Sequence, residues 1–429
     1  MIALSLIPLL LAADPGRVLT LEEALAIAKK SRPLLVAARA NVRAAEARVD
    51  ASLAPLLPEL NGTASYAQQT GNFVSRPGQL PSSVTQTIPS ASFNTFGFWN
   101  FGLNASVMVF DFGAARSSRA AQKANRAGLE ATREASEDDV ALAVRSAYVA
   151  AWAQEAMVGV AKASVDAADR HLEQIDAMVQ VGTRADLDLA QVKADRASAR
   201  LTLVNAENAS LAARADLARV IGGMDEGDFT VKDEGLAPLE DEDGLLGPLA
   251  DKAIANRPEL RALEAQRLAL AEAHDATFAA FFPSLSLASG LTFLGANLDN
   301  LTWNWNAQLL LSWSIFKGLQ TRSNLRENEA SQEASLAQAE EQRLSVRSEV
   351  EQARLAVRAA KASGQAAEEL DVAAKERLRL AEGRYAAGVG TVIELEDAQV
   401  AAATASAQLV QTRYQLAVAR AQLLHALGE

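Results

Sequence analysis

The sequence predicts a mixed α and β membrane protein made of two internal repeats, each with a pair of strands and a long helical hairpin. Three observations lead to this fold class. A series of motifs occurs twice in the same order, the strands alternate apolar and polar residues, and the long helical stretches carry apolar residues at a seven-residue spacing.

The repeat is visible in the placement of prolines, strands and helix starts. Arg257-Pro258 follows Arg32-Pro33 by 225 residues, and the motif Phe316–Arg322 follows Phe110–Arg116 by 206. The displacement changes only at the loop between paired strands, which is longer in the first half (Phe73–Thr95). An ordered repeat with a single change of register indicates a duplication.

The predicted domains follow from this repeat. They are a signal peptide (1–13), a first repeat (14–221) with strands about 58–69 and 98–110 and a helical hairpin 114–221 whose tip is 181–183, a solvated acidic connector (222–248), and a second repeat (249–429) with strands about 284–294 and 302–316 and a hairpin 319–427 whose tip is 388–391.

The signal peptide is predicted from the apolar run Ile2–Ala13, which precedes Asp14-Pro15-Gly16. The run is too short to span a bilayer but has the length of a signal's apolar region. The basic residues that usually precede such a region are missing, so a buried apolar N-terminus stays open as the alternative.

Composition restricts the possible functions of the 429-residue chain. A formal charge of −12 argues against nucleic acid as a partner. Without cysteine the chain has no disulfide, thiolate metal site or cysteine nucleophile. Its three histidines do not pair at metal-ligand spacing, and we expect no metal, cofactor or catalytic residue.

The strands carry one apolar and one uncharged polar face. In the last of them Trp303, Trp305 and Trp313 alternate with Asn304 and Asn306, and a period of two over ten or more residues gives two different faces. Tryptophans near strand ends and a polar face without charge match a membrane β-barrel with lipid outside and water inside. The predicted lipid-facing aromatic residues are Trp99, Phe101, Phe293, Trp303, Trp305 and Trp313.

Four strands cannot close a barrel, and an open edge does not survive in lipid. Closure must therefore come from several chains, and three copies would give twelve strands around a water-filled pore. A sheet packed on a soluble core also alternates and remains an alternative. Its cover would have to be the long helices, which lead straight out of the strands.

The long helix of the second repeat has the spacing of a coiled coil. Small and apolar residues recur every seven positions at Val346, Ala353, Ala360, Ala367, Ala374 and Ala381. A partner row of Val350, Val357, Gly364, Leu378 and Tyr385 is interrupted by Asp371. Such spacing predicts close packing against a neighbouring helix along the whole length.

Both hairpin tips contain Val-Gly-Thr, as Val181-Gly182-Thr183 and as Val389-Gly390-Thr391, at a displacement of 208. Glycine ends a helix at low cost because it accepts a positive φ. Threonine can then cap the next helix, with acidic residues in its first turns.

The order of these elements resembles the TolC family of outer-membrane efflux proteins. The motifs that carry the resemblance are Phe-Asp-x-Gly-x-x-Arg after a strand pair and Tyr-x-x-Gly followed by Asp-Ala-Gln at a tip, and it covers Leu19 to the C-terminus. It implies a homotrimer whose twelve-stranded barrel in outer-membrane lipid continues as an α-barrel of twelve helices across the periplasm. It also implies a passive exit duct of a tripartite efflux or type I secretion system, coupled through a periplasmic adaptor to an inner-membrane RND, ABC or MFS pump.

The resemblance assigns residues to a periplasmic aperture. Tyr385 matches the tyrosine of Tyr-x-x-Gly, which places Glu394 and Asp397 at the family's two carboxylate positions. In the first half Asp186 takes the corresponding acidic place, with Arg184 nearby. The basic residue that the family often keeps beside the glycine is absent, so Arg184 is the expected substitute lock.

The resemblance also assigns adaptor contacts to the tips, at Val181, Gly182, Thr183, Gly388, Val389, Gly390 and Thr391. In the second half the Val-Gly-Thr register lies two residues beyond the Tyr-x-x-Gly register, and the two assignments compete there. The alternative function is a periplasmic or surface structural coiled-coil protein without channel activity. An enzyme is not predicted, because no catalytic constellation is present in the sequence.

Overall fold

The computed structural model describes residues 17–70, 93, 95–223, 229–232, 236–239 and 242–429. The predicted signal peptide, nearly all of the predicted loop 73–95 and part of the acidic connector lie outside the described residues. In chain order the strands and helices are β1 (Arg17–Leu19), α1 (Leu21–Ser31), α2 (Pro33–Ala51), β2 (Glu59–Thr70), β3 (Thr95–Phe110), α3 (Ala114–Gln180), α4 (Asp186–Ile221), β4 (Phe229–Val231), α5 (Leu246–Asn256), α6 (Pro258–Ala279), β5 (Ser284–Gly295), β6 (Thr302–Ser312), α7 (Gln320–Ala386) and α8 (Val392–Leu427).

The two halves repeat one another with two fixed displacements. α1 and α5 begin at residues 21 and 246, and β2 and β5 begin at 59 and 284, so both pairs are displaced by 225. α3 and α7 begin at 114 and 320, and α4 and α8 begin at 186 and 392, so both pairs are displaced by 206. The paired long helices also have equal lengths, 67 residues for α3 and α7 and 36 for α4 and α8.

By contacts the chain divides into two compact units, one of residues 1–42, 129–263 and 338–429 and the other of residues 43–128 and 264–337. Among the described residues of either unit, no helix is both long and apolar enough to cross a membrane.

In the first unit, equivalent arginines fix the C-terminal ends of α4 and α8. These two helices, the second helix of each hairpin, are called the return helices. Arg32 Nη1 donates to the carbonyl oxygens of Arg219 and Val220 at 2.8 and 2.9 Å. In the second repeat Arg257 Nε donates to the carbonyl oxygen of Ala426 at 3.1 Å. A cation at a helix C-terminus satisfies carbonyl groups that lack a partner within the helix and interacts favourably with the helix dipole.

A two-stranded parallel sheet in the first unit was not predicted from the sequence. β1 pairs with β4, with Leu19 opposite Val231. The fully buried Tyr148 of α3 donates from its hydroxyl to the carbonyl oxygens of Leu19 and Lys232, at 2.9 and 3.1 Å. Strands of three residues give no periodic signal, so only the structure reveals them.

One seven-residue row of α7 is buried as predicted, whereas Gly364 and Leu378 of the partner row are only half-buried. Val346, Ala353, Ala360, Ala367, Ala374 and Ala381 are all at most 8% exposed. The interruption at Asp371 is also buried, and this carboxylate accepts hydrogen bonds from Ser406 Oγ of α8 at 2.6 Å and from Lys375 Nζ at 2.7 Å. A buried charge is tolerated when it is paired and hydrogen-bonded. The carboxylate of Asp371 is therefore a satisfied polar group in the contact between α7 and α8.

The sequence predicted that the acidic connector is a solvated surface, but one of its acidic residues is buried. Glu242 is 3% exposed. Its carboxylate receives Arg420 Nε at 2.9 Å, Arg420 Nη2 at 3.0 Å and Lys361 Nζ at 2.6 Å. The prediction is therefore wrong at this residue, because cations from α7 and α8 bind the connector against the helices.

The second unit contains a four-stranded antiparallel sheet in the order β2-β3-β5-β6. Its strands lie close to the predicted ranges, except that β3 begins at Thr95 and β6 ends at Ser312 rather than at 316. β6 ends there because Ser312 pairs with Ser284, the first residue of β5. The preceding Pro283 has no N–H to continue the ladder.

Candidate functional site at the hairpin tips

The first tip joins α3 to α4 through a left-handed glycine. Gly182 has a φ of 76°, and the N–H groups of Gly182 and Thr183 donate to the carbonyls of Val179 and Met178 at 2.9 Å. The Thr183 hydroxyl also donates to the Met178 carbonyl, at 2.8 Å. The N-cap of α4 is Ala185, without a side-chain hydrogen bond. The predicted capping of α4 by Thr183 is thus wrong, since this side chain helps to end α3.

The second tip joins α7 to α8 in a similar way. Gly388 has a φ of 74°, and the N–H of Gly390 donates to the carbonyl of Arg384 at 3.0 Å. Here threonine does cap the return helix, because the Thr391 hydroxyl accepts from the N–H of Glu394 at 3.2 Å. This prediction is confirmed.

The two tips correspond at a displacement of 206, not 208. The left-handed glycines are Gly182 and Gly388, each two residues after the end of its helix. The apparent match of Gly182 with Gly390 is therefore wrong by two residues. Gly390 serves a different purpose, because a Cβ there would lie 2.9 Å from the backbone nitrogen of Tyr385.

This register also changes the match between acidic residues. Asp188, not Asp186, corresponds to Glu394. Asp188 Oδ2 lies 3.7 Å from Arg184 Nη1, and Glu394 Oε1 lies 3.2 Å from Arg384 Nε. Sequence reasoning missed Arg384 because it looked for a cation after the tip glycine. In each tip, an arginine of the same hairpin therefore lies beside the equivalent carboxylate.

A buried apolar cluster holds the ends of the four long helices together. Its members are Ile175 of α3, Val192 of α4, Ala381 and Tyr385 of α7, and Leu395 and Ala398 of α8. Tyr385 is 7% exposed, and Arg184 Cζ lies 6.0 Å from the centre of its ring. The structure therefore brings two of the predicted aperture residues together. Asp186 and Asp397 are exposed.

The structure adds an acidic residue that sequence reasoning did not single out. Burial raises the pKa of Glu396 on α8, and the nearby charges of Asp195, Asp397 and Asp188 raise it further. Carboxylates from both hairpins therefore lie close enough to Glu396 to repel its negative charge. The sequence shows this residue between two other acids, but only the packing of α8 against α4 distinguishes it from them.

Exposed apolar residues lie near both tip glycines in the sequence. Val181 and Val389, both predicted adaptor contacts, are 74% and 69% exposed. Leu187 and Ile393, which were not predicted, are 78% and 69% exposed and correspond at the displacement of 206. The correct register would have found this pair in the sequence, because it aligns leucine with isoleucine in the first turn of each return helix.

The aromatic residues of the sheet form a row on one face. Phe101 lies opposite Phe293, which lies opposite Trp303, and Trp99 stacks on Phe101 with ring centres 6.3 Å apart. Trp305, two residues after Trp303, lies on the same face of β6. Trp313 differs, since it follows the end of β6 and donates from Nε1 to the carbonyl of Phe281 at 2.9 Å.

Comparison with known proteins agrees with this architecture. The pyoverdine export outer membrane protein OpmQ of Pseudomonas putida is 26% identical over 416 residues, which cover 95% of this chain and 85% of that protein. The outer membrane protein VceC of Vibrio cholerae has a similar fold, with a TM-score of 0.80 at 20% identity, over 95% of this chain and 96% of that one. The open state of the MtrE outer membrane channel of Neisseria gonorrhoeae gives a TM-score of 0.77 at 24% identity, over 97% of this chain and 89% of that one.

The model of the family described as "Outer membrane efflux protein" matches residues 24–223 and 249–429. The gap between these segments falls in the connector, so the match covers both repeats with their strands and hairpins. The chain belongs to the outer membrane efflux protein family and is an outer-membrane exit duct with a long periplasmic part.

Proposed function

We propose that three copies of the chain close one twelve-stranded barrel and form a passive duct of a tripartite efflux or type I secretion system. The observation that carries this proposal is the open sheet. β2 and β6 are its outer strands, and neither has a second partner strand among the described residues. An unpaired edge of eleven or twelve residues is not stable in lipid.

The alternating strand directions permit this closure. β2 and β6 are antiparallel to their inner neighbours and run in opposite directions to each other. The outer strand of one copy can therefore pair in antiparallel fashion with the outer strand of the next. A sheet of twelve strands leaves an interior wider than side chains can fill.

The two faces of the sheet suit lipid and water respectively. The row of Phe101, Phe293 and Trp303 would meet lipid. Asn61 lies opposite Asn104, and Gly290 separates Asn104 from Asn306 on the other face. Amide side chains hydrogen-bond to water without creating a strong field, so this face would line the lumen.

We place the periplasmic entrance and the adaptor contact at the hairpin tips. The apolar cluster around Tyr385 joins both hairpins of one chain, and acidic residues lie beside it. Leu187 and Ile393 present apolar side chains in the first turn of each return helix, where they would contact an adaptor. Contiguous apolar patches with a polar rim mark protein interaction sites, and a patch formed by these two residues with Val181 and Val389 would be such a site. The adaptor would in turn connect the duct to an inner-membrane RND, ABC or MFS pump.

Gel migration of outer-membrane fractions tests the trimer. We expect an unheated sample to migrate as a trimer and a heated sample as a monomer. A paired change, Leu187→Ser with Ile393→Ser, should reduce cross-linking to the adaptor and leave the trimer band intact. Migration as a monomer before heating would contradict the closed barrel, whereas undiminished cross-linking would contradict only the adaptor contact.

A further inference from the structure

His171 occupies an unusual place between the two hairpins. It lies on α3, is 6% exposed, and packs edge-on against Tyr385 of α7 with ring centres 5.8 Å apart. Neither ring nitrogen has a hydrogen-bond partner among the described residues, and the same holds for the Tyr385 hydroxyl. Buried polar groups are normally hydrogen-bonded, so an imidazole with two unpaired nitrogens requires an explanation.

The charged groups around His171 come from several elements. Burial lowers the pKa of His171, Asp195 of α4 raises it, and Arg184 of the first tip lowers it. On α7 the group that faces it is the Tyr385 phenol. From α8, Glu396 interacts with Asp195 rather than directly with the imidazole. The net result is a ring that is neutral while the hairpins are packed.

Proton linkage determines whether acid favours the packed or the open arrangement at His171. A group whose pKa is lowered in the packed state binds a proton more readily when the packing opens, so acid favours the open arrangement. Histidine is the side chain whose ordinary pKa puts this change just below neutral pH. An imidazolium at this place would meet the apolar side chains around Tyr385, and water would stabilise it better.

We propose that His171 is an acid-sensitive latch: its protonation loosens the packing between the two hairpins next to the tips. The contact between the two hairpins at His171 and Tyr385, which we call the seam, stays packed while the imidazole is neutral and opens when it is charged. That this seam borders the entrance of the duct rests on the proposed function, but the latch itself is a property of one chain.

Glu396 acts in the opposite direction. Its pKa is raised in the packed state, so a proton there relieves repulsion with Asp195 and Asp188 and favours the closed seam. The two groups can be separated by substitution. His171→Gln removes the opening proton, whereas Glu396→Gln removes the closing one.

The absence of cysteine from the chain permits a direct test. Ala381→Cys places a single thiol in the buried seam, where Ala381 is 5% exposed, and Ala190→Cys provides an exposed reference on α4. The rate of modification by a disulfide reagent is measured for each variant of the full chain in detergent. The ratio of the two rates cancels the effect of pH on thiol reactivity.

Between about pH 7.5 and about pH 5 we expect the ratio to rise severalfold, because the open arrangement takes up a proton that the packed arrangement excludes. With His171→Gln the ratio should stay constant, and with Glu396→Gln the acid-induced rise should persist. His171→Arg should give a high ratio at both pH values, which covers the case in which the glutamine variant fails to fold. A rise that persists in His171→Gln, or no rise in the parent, would overturn the latch. This readout needs neither a trimer nor conductance, so its failure leaves the duct proposal intact.

Discussion

Replacement of Glu242 by glutamine should release the connector from the long helices. Burial alone would raise the pKa of this carboxyl, but hydrogen bonds from Arg420, Lys361 and the N–H of Leu239 lower it from 4.5 to about 2. At about 1.4 kcal/mol per pH unit, this difference corresponds to about 3 kcal/mol of stabilisation by the ionised form. That contribution is fully present above about pH 4.5 and is lost as the pH falls through about 2.

Hydrogen exchange measures this contribution locally. In Glu242→Gln the backbone amides of Leu236, Ala237, Leu239 and residues 242–245 should lose about a hundredfold of their protection at neutral pH, because about 3 kcal/mol is removed from the opening equilibrium. Asp243→Asn is the matched control. Asp243 also pairs with Lys361 Nζ, at 2.6 Å, but its side chain is 71% exposed, and an exposed pair of this kind contributes at most about 1 kcal/mol. Equal protection in Glu242→Gln and the parent would refute the reasoning.

Three further predictions concern the repeat and the entrance. Arg32→Met and Arg257→Met should each destabilise the chain by about 1–3 kcal/mol in thermal unfolding, since both remove a charged donor from the end of a return helix; an effect in one repeat alone would contradict their equivalence. Joint replacement of Glu394 by Gln and Asp397 by Asn should lower cation selectivity in planar bilayers, because six carboxylates of a trimer would converge at the entrance; unchanged reversal potentials would exclude this role. Arg184→Ser should raise the resting conductance, and an unaltered leak would remove this residue as the lock.

The sequence was sufficient for the elements whose signals are local. Thr391 caps α8 by accepting a hydrogen bond from the N–H of Glu394, and the seven-residue row of α7 is buried. Both depend on residues within a few turns of one another. The four strands of the antiparallel sheet were found for the same reason, since alternation needs only one strand.

The tip register shows how sequence identity can mislead. Val-Gly-Thr occurs in both tips, but the positive φ that a helix end requires falls on Gly182 and Gly388. Gly390 is instead a place of close backbone approach. The glycines of the two Val-Gly-Thr motifs therefore have different structural roles. The error of two residues in the alignment of the tips also hid the correspondence of Asp188 with Glu394.

The remaining errors come from contacts between distant parts of the chain. Glu242 and Arg420 are 178 residues apart in sequence, and composition alone made the connector look solvated. Likewise His171 and Tyr385 come from different hairpins. No local pattern distinguishes a histidine in such a seam from one on a solvated helix face.

Cross-linking between the two outer strands tests the closed barrel most directly. Thr63 of β2 and Asn304, Asn306 and Gln308 of β6 lie on the polar face of the sheet. Three double variants combine Thr63→Cys with a cysteine at one of the β6 positions. Within one chain two strands lie between these residues, and at about 4.8 Å per strand spacing they are too far apart for a disulfide. We predict that oxidation of at least one double variant gives a covalent trimer, whereas only monomers, or a ladder of bands beyond the trimer, would contradict closure by three copies.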